Sequence, residues 1–436
     1  MCFLLGRRRL CVPRLLIALA AALLVLPLYA TASDTPLSLD AATQLAAQRA
    51  PQIQAQILQA QAARHDAVRA GRLPDPQLTA GINNLTATGA EAFNAAADSM
   101  TLRSIGLMQV IPSSAKRHAE KTVAQATVQL NATEVTQVRL AVKQATADAW
   151  VRLWAAQAER QQLEALNEQF ALAVKLARAK LRGGTGSATD VLAAQSAAVQ
   201  LANRITAVDA EIAAAQAALQ RWVGDDVNQT LAAAPDFSSL PVSPAELQRN
   251  LNQQGPLLDW SAREDQAQAK LDLAKAGKRP NWSVGVVYGD RIHRPDMLGI
   301  EVGVSLPLFP GNRQDQDISA RYADRSAIAD AHENALRAQR AAVAADLAEW
   351  QGDSKQITTY RDQLLPLVAD RSRTALAGYR AGGSLEPWLE ARRDEIDTRV
   401  AYAKALAAWG EAWTRLAYLL PDESAPRAIR LPEDLP

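Results

Sequence analysis

The sequence predicts a mainly helical protein with a small β part, built from two similar halves. Three observations support this prediction. No proline interrupts the roughly 70 residues from Ser113 to Arg182, four short segments alternate with the two-residue period of β-strands, and landmark motifs recur about 200 residues apart. Most solenoid repeats span only about 20 to 50 residues, so the long spacing favours a duplicated half-molecule.

Three pairs of landmarks indicate the duplication, and their spacings agree within about ten residues. The pairs are Pro74 with Pro280, Gly106 with Gly303, and Gly184 with Gly383. We expect a first repeat over residues 33–231, a second over residues 232–422 and a C-terminal tail over residues 423–436. Each repeat is predicted to run in the order helix, β-hairpin, long helix, glycine-rich tip, helix.

The strand segments have one apolar face and one small or polar face. The predicted apolar residues are Leu78, Ala80 and Ile82; Met100, Leu102, Met108 and Val110; Trp282, Val284, Val286 and Tyr288; and the even positions from Leu298 to Leu308. Such a pattern usually belongs to a half-buried antiparallel sheet. Two hairpins are marginal by themselves in water. We therefore expect the four strands to complete a sheet with strands of other subunits.

The helical segments have packing seams of the coiled-coil type. Apolar residues recur every seven positions from Leu336 to Leu364, and 3-4 spacing links Leu163 to Ala177. Pro366 predicts a kink in the second long helix. Gly183 to Ser187 and Gly382 to Ser384 predict helix reversals, because glycine ends helices and serine starts them.

The N-terminus is predicted to be a cleaved secretory signal peptide over residues 1–32. Arginines precede an apolar run from Leu15 to Leu28, which is shorter than the roughly 20 residues of a transmembrane helix. Ala30, Thr31 and Ala32 supply a cleavage site. Ser33 stands where a lipoprotein would have cysteine, so no lipid anchor is predicted. Both cysteines of the chain precede Ser33, so the mature chain is expected to lack disulfides.

Composition and motifs favour neither nucleic-acid binding nor catalysis. Lys and Arg total 47 against 46 Asp and Glu, with a pI near 7.8, so the chain lacks a basic footprint for nucleic acid. No phosphate-binding loop, Gly-x-Ser-x-Gly or His-Glu-x-x-His motif occurs. The four histidines are isolated and are expected on the surface or in loops. We predict no enzyme, no cofactor and no metal site.

The chain resembles the TolC-like outer-membrane efflux family over nearly its whole mature length. The motifs that carry the resemblance are the strand-to-helix passages Gln109–Pro112 and Leu306–Arg313 and the tips Arg182–Leu192 and Tyr379–Ser384, in duplicate order. The second-half sequences Tyr379–Leu385 and Leu389–Arg393 look most like the branch of CzcC- and CusC-like channels, which is paired with heavy-metal exporters of the resistance-nodulation-division (RND) class.

This resemblance implies a homotrimer in the outer membrane. Four strands from each subunit would form a closed twelve-stranded transmembrane β-barrel, and the long helices would continue it as an α-barrel across the periplasm. A closed barrel satisfies every backbone group in lipid. The implied function is a passive exit duct of a tripartite efflux system, which receives substrate, expected to be heavy-metal cations, from an inner-membrane RND pump through a periplasmic adaptor.

The resemblance also implies functional residues at the helix-hairpin tips. Asp190 and Glu390 match acidic positions that narrow the periplasmic pore, and Glu386 stands one place before another such position, which is Pro387 here. Threefold symmetry would make each carboxylate a ring that favours cations. Glu390 has a competing interpretation as part of a solvated, charged helix face. The tip glycines Gly183, Gly184, Gly382 and Gly383 are expected to contact the adaptor.

A periplasmic coiled-coil structural or adaptor protein without a pore is the alternative. An adaptor would be expected to have a further β-domain with many strands, whereas only two hairpins are predicted here.

Overall fold

The computed structural model describes residues 36–421. The predicted signal peptide, residues 1–32, and the predicted C-terminal tail, residues 423–436, lie outside these residues. The helices are α1 (Leu39–Arg49), α2 (Pro51–Arg69), α3 (Ser114–Arg182), α4 (Ala188–Val223), α5 (Pro244–Arg249), α6 (Trp260–Ala276), α7 (Gln314–Thr359), α8 (Leu365–Arg380) and α9 (Glu386–Ala417). The strands are β1 (Gln77–Asn83), β2 (Leu102–Ile111), β3 (Asn281–Arg291) and β4 (Met297–Ser305).

Helix α3 is 69 residues long, which at about 1.5 Å per residue corresponds to roughly 100 Å. Ser113 starts it, because its hydroxyl accepts a hydrogen bond from the Lys116 backbone N–H at 3.2 Å. The seam predicted from Leu163 to Ala177 is buried. The helix was therefore predicted correctly from its start, its end and its packing face.

The second long helix is interrupted where proline was expected to disturb it. Residues Tyr360–Leu364 form a π-helical turn between α7 and α8, and Pro366 is the second residue of α8. Proline has no backbone N–H to donate to the preceding turn, and the widened turn accommodates that loss. On the predicted seam Val343 and Ile357 are buried, but Leu364 is exposed within the π turn.

The four strands form one antiparallel sheet in the order β1-β2-β3-β4. The two hairpins join through β2 and β3, where Ile111 pairs with Trp282 and Leu102 with Arg291. Strands β1 and β4 are the two edges of this sheet. Within the described residues, neither edge has a further strand beside it.

Two details of the strand prediction were wrong. In β2 the register places Leu107 opposite Leu78 and Ile105 opposite Ala80, so the predicted set of Leu102, Met108 and Val110 lies on the other face. Met100 precedes the strand. Strand β4 ends at Ser305, so the predicted continuation to Leu308 is instead a connector to α7.

A core of tryptophans fixes the helices midway along α3. Trp150 is fully buried and donates a hydrogen bond to the Leu37 carbonyl at 3.0 Å. Phe237, in the connection between the halves, contacts the rings of Trp154, Trp409 and Trp413 with centroids 5.5–5.9 Å apart. This core ties α1, α3, α9 and the connection together, from which the helical hairpins extend.

The described elements run twice in the order helices, a β-hairpin, a long helical segment, a tip and a helix. The boundary between the two repeats at residues 231 and 232 stays a prediction.

Candidate channel wall and entrance

The sheet has one continuous apolar face. Residues directly opposite each other in neighbouring strands share a face, so the register joins alternate residues of all four strands. The large apolar members of this face are Leu78, Ile82, Ile105, Leu107, Ile111, Trp282, Val284, Val286, Tyr288, Leu298, Ile300, Val302 and Val304. Most of these side chains are exposed in the single chain, and Ile300 is 74% exposed. A continuous exposed apolar face of this size marks an interaction surface.

The opposite face is made of small and polar residues with a few apolar ones. All six glycines within the strands lie on it, together with serines, Thr79 and Glu301. At Gly106 a Cβ atom would come within 2.9 Å of the Thr79 hydroxyl oxygen, so a side chain there would crowd the neighbouring strand. The sheet therefore separates a continuous apolar side from a mixed side that holds the glycines and serines of the strands.

Polar groups bound the apolar face near the two hairpin loops. Arg103 on β2 forms an ion pair with Asp290 on β3, and the hydroxyl of Tyr288 donates a hydrogen bond to Asp296. From Arg103 to Ile111 the strand spans eight steps, roughly 27 Å at about 3.4 Å per residue. That length is comparable to the ~25 Å apolar band of outer-membrane barrels.

At the first tip, Asp190 lies in the first turn of helix α4 and forms a capping box with Ser187. Its backbone N–H donates to the Ser187 hydroxyl at 3.0 Å, and the Ser187 backbone N–H donates to the Asp190 carboxylate at 3.4 Å. Gly184 has φ +72°, which favours glycine, and it closes the end of α3 together with Gly183. The half-buried carboxylate of Asp190 thus has a structural role besides the predicted role in the pore. The spacing Ser-x-x-Asp is a sequence signal for this cap.

At the second tip, Glu386 and Glu390 are exposed on the first turns of α9 and line the same groove. This groove, of about 360 Å³, lies over Phe170 of α3 between α4 and α9. Arg204, Arg393 and Asp397 line it as well, and sequence reasoning did not single them out. Gly382 has φ +108°, so glycine is favoured between α8 and α9, and Gly383 follows it.

The two tips contact each other through pairings that sequence reasoning did not predict. Lys180 of α3 donates to the Tyr379 carbonyl of α8, and its Nζ lies 3.8 Å from the centroid of the Tyr379 ring. Phe170 and Trp388 pack with ring centroids 5.4 Å apart. No local pattern marks these partners, because they are about 200 residues apart in the chain.

A buried ion pair lies on α9, next in sequence to Arg393 and Ile396 of the groove. Arg392 and Glu395 of α9 are each 2% exposed, and the Arg392 guanidinium donates to the Glu395 carboxylate. Arg399 donates to the other oxygen of the same carboxylate at 2.8 Å. Burial lowers the pKa of Arg392, because it disfavours the charged guanidinium, while Glu395 opposes this shift. Removal of one partner would leave a buried, uncompensated charge.

Further carboxylates along the helices are shifted by burial. Desolvation raises the pKa of Asp148 on α3, although the Thr414 hydroxyl donates a hydrogen bond to it. Desolvation also raises the pKa values of Glu159 and Asp353, with nearby Glu211 and Glu349 adding to the respective shifts. These groups lie on packed helices at a distance from both tips in sequence.

The histidines do not form a ligand cluster in the described part of the chain. Within residues 36–421, no group of three or more His, Cys, Asp or Glu side chains is arranged to hold a metal ion. His65, His118 and His293 are exposed as predicted. The prediction was wrong for His332, because α6 packs against α7 there. The His332 ring stacks on the Trp260 ring with centroids 5.4 Å apart, and its Nδ1 lies 2.7 Å from a carboxylate oxygen of Glu264.

None of the helices between residues 36 and 421 contains a stretch long and apolar enough to cross a membrane.

Residues 42–225 match the sequence pattern of the family described as outer membrane efflux protein. The resemblance to this family is confirmed. The match covers most of the first half, including the sheet's first hairpin, α3 and the first tip. No curated protein matches the sequence.

Solved structures share the fold of this chain over most of its length. A membrane protein from Pseudomonas aeruginosa is 16% identical with a TM-score of 0.75, and covers 87% of this chain and 89% of its own. CusC is 18% identical with a TM-score of 0.74, and the match covers 88% of this chain and 92% of the CusC chain. The outer-membrane channel OprN is 15% identical with a TM-score of 0.73, covering 87% and 89%. These similarities confirm the mainly helical fold with a small antiparallel sheet.

Proposed function

We propose that this protein is the outer-membrane exit duct of a tripartite efflux system. The observation that supports it most is the two-faced sheet with two open edges at one end of helices roughly 100 Å long. The apolar face suits lipid, and the face rich in glycine and serine suits a water-filled lumen. The mature chain would begin after the predicted signal peptide, without a lipid anchor, and comprise the two predicted repeats.

Ring closure by identical subunits completes the sheet in this proposal. Each chain offers β1 at one edge and β4 at the other, so β4 of one subunit can pair with β1 of the next. Head-to-tail contacts of this kind close into rings when the rotation permits. Three copies give a twelve-stranded barrel, the number that the family resemblance implies. Closure removes the open edges, which lipid would not tolerate.

The helical tips form the periplasmic entrance in this proposal. In a trimer Asp190, Glu386 and Glu390 would each occur three times around the axis, and the tip glycines Gly183, Gly184, Gly382 and Gly383 would meet the adaptor. The shared groove of Glu386 and Glu390 supports a common role for these two carboxylates. The protein would conduct passively, because the inner-membrane RND pump supplies the energy.

Heavy-metal cations are the proposed cargo. The proposal follows from the resemblance of Tyr379–Leu385 and Leu389–Arg393 to the branch paired with heavy-metal exporters, and acidic rings favour cations. No resident metal site is needed, because a conduit releases what it carries. Accumulation of divalent cations and of organic solutes should be compared in cells with and without the gene. Unchanged metal accumulation would reject the metal cargo without rejecting the duct.

Extraction and conductance test the duct itself. We expect the mature protein in the outer-membrane fraction, extractable only with detergent, as a trimer that dissociates on heating. Reconstitution into planar bilayers should give discrete conductance steps. A monomer that is freely soluble in the periplasm, with no conductance, would reject the duct and favour the structural or adaptor alternative.

A further inference from the structure

An amphipathic surface lies where the sheet meets the helices. We define the junction surface as Arg279, Trp282, Leu306, Leu308, Phe309 and Arg313. Its aliphatic and aromatic members are unusually exposed: Leu306 is 62%, Leu308 71% and Phe309 80% exposed. The connector between β4 and α7 contributes four of the six residues. Side chains of this size are normally covered by protein or lipid.

Backbone and side-chain contacts hold the two parts of the junction surface together. Asn281 pairs with Ser305, so the start of β3 lies beside the end of β4. On the helical side Lys278 forms an ion pair with Asp315. Arg279 adjoins Lys278, and Arg313 precedes Asp315 by two residues. The two arginines therefore belong to the same end of the sheet as the exposed connector.

The two arginines of this surface carry charge that the chain does not neutralise. Neither the Arg279 nor the Arg313 guanidinium contacts an acidic or carbonyl group within residues 36–421, and both residues are exposed. Two other basic side chains have partners within the chain. Lys278 pairs with Asp315, and Arg72 donates to the Val68 carbonyl at 2.8 Å. Two unpaired guanidinium groups beside exposed Leu, Phe and Trp side chains fit a partner with an anionic head and apolar tails.

We propose that the junction surface binds anionic phospholipid in the membrane leaflet that faces the periplasm. The proposal rests on the proposed function, which places the apolar face of the sheet in lipid. Leu306, Leu308, Phe309 and Trp282 contact the acyl chains at the membrane boundary, and Arg279 and Arg313 bind the lipid phosphate. Arginine suits this role, because its planar fork donates two parallel hydrogen bonds to phosphate oxygens. Tryptophan at the interface is typical of membrane proteins.

A lipid fits this surface better than the other occupants. A free phosphate ion would leave the apolar side chains exposed to water. A second copy of the chain could cover the connector, but it would have to bring acidic groups to the arginines. The lipid satisfies both requirements with one molecule.

Native mass spectrometry of the detergent-extracted oligomer provides the test. The wild type should retain phosphatidylglycerol in preference to phosphatidylcholine when both are titrated. The double variant Arg279→Gln/Arg313→Gln should lose that preference, with binding weakened by roughly fivefold for each arginine, the equivalent of about 1 kcal/mol per basic residue at an anionic surface. The single variants provide the same measurement if the double variant fails to assemble.

Two controls test whether the lipid preference depends on positive charge and on the position of the arginines. Arg279→Lys/Arg313→Lys retains the charge and should retain most of the preference. Arg294→Gln removes an exposed arginine at the opposite end of the sheet and should leave lipid retention unchanged. Equal retention by wild type and double variant, or equal loss in Arg294→Gln, would overturn the proposal.

Two further outcomes would also overturn it. Complete displacement of phosphatidylglycerol by excess inorganic phosphate would indicate a free-anion site. A fall in the oligomer's dissociation temperature in Phe309→Ala, with lipid retention unchanged, would indicate that a second copy covers the connector. A wild type that conducts in planar bilayers but shows no lipid preference rejects only this inference, whereas a wild type that neither assembles nor conducts rejects the proposed function as well.

Discussion

Lys180 and Tyr379 join the two helical hairpins at their tips. The Lys180 Nζ lies 3.8 Å from the centroid of the Tyr379 ring and donates to the Tyr379 carbonyl. The Tyr379 side chain is buried, and burial raises the pKa of its hydroxyl, with the Asp190 carboxylate adding to the shift. The tyrosine therefore stays neutral, and the lysine supplies the charge in this contact.

Lys180→Met should loosen the contact between the tips. The substitution keeps an apolar stem but removes a cation–π contact and a charged hydrogen bond, together on the order of 1 to 2 kcal/mol. If the tips close the entrance, the open population should rise by roughly five- to thirtyfold. Single-channel recording measures this rise. Lys175→Met, on the same helix at an exposed position, is the control. Equal conductance of both variants and wild type would show that the contact does not restrain the entrance.

Asp190→Asn should separate the capping role of this residue from its charge. The asparagine oxygen can still accept the Ser187 N–H, so stability should change little, while the proposed trimeric pore would lose three carboxylates. We expect reduced cation selectivity, read from the reversal potential in a salt gradient. Ser187→Ala removes the cap instead and should cost about 1 kcal/mol of stability without a change in selectivity. Unchanged selectivity in Asp190→Asn would remove this residue from the pore.

Helix-capping residues predicted the helix ends well. The face of β2 was predicted wrongly, because it depends on strand pairing between distant parts of the chain. The Ser113 hydroxyl caps the start of α3 and Gly183 caps its end, so the sequence alone sufficed there. In β2 both sets of alternate residues contain large apolar side chains, and only the register with β1 and β3 selects Ile105 and Leu107 for the continuous face.

The candidate entrance was predicted only in part for the same reason. The glycines and acids of the tips are adjacent in sequence, so they could be named. Arg204 reaches the groove of Glu390 only because α4 and α9 both pack on α3. Such contacts have no local signal.

Asp148→Asn should make the free energy of unfolding depend less on pH in the acidic range. Burial raises the pKa of Asp148, so over the window between its ordinary and its raised value the folded protein holds more proton than the unfolded chain. The free energy of unfolding therefore falls as the pH rises through that window. The variant lacks this loss and should be more stable than wild type at neutral pH. Thermal dissociation between about pH 4 and about pH 8 measures the difference.

Asp236→Asn provides the opposite sign as a control. Hydrogen bonds from the hydroxyl and the backbone N–H of Ser238 lower the pKa of Asp236. The contribution of Asp236 to the free energy of unfolding is therefore lost as the pH falls. If the two variants shifted the profile in the same direction, the account of Asp148 would be wrong.

Gly410→Ala should destabilise the core where α9 approaches α3. A Cβ atom at Gly410 would lie 2.6 Å from Val151 Cγ1 and 3.3 Å from the Phe237 ring. Overpacking of this kind costs about 1 to 3 kcal/mol. Gly352→Ala is the matched control, because nothing lies within 4 Å of its Cβ position within α7. That variant should gain about 0.5 to 1 kcal/mol. Chemical denaturation of both variants measures the contrast, and equal stabilities would contradict the close approach of the helices.

Arginine substitutions at the adjacent residues Ile300 and Glu301 test which face of the sheet contacts lipid. Ile300 lies on the continuous apolar face, and Glu301 lies opposite Gly285 on the glycine-rich face. Ile300→Arg should reduce membrane assembly, because arginine on a lipid face costs about 2 to 4 kcal/mol near the bilayer midplane. Glu301→Arg should still assemble but shift the conductance toward anions, because the proposed function places the glycine-rich face of the sheet, with Glu301, in the lumen. Heat-dissociation gels and reversal potentials measure the two effects. Assembly lost in Glu301→Arg but retained in Ile300→Arg would reverse the assignment of the faces, since the same residue type is introduced at both positions.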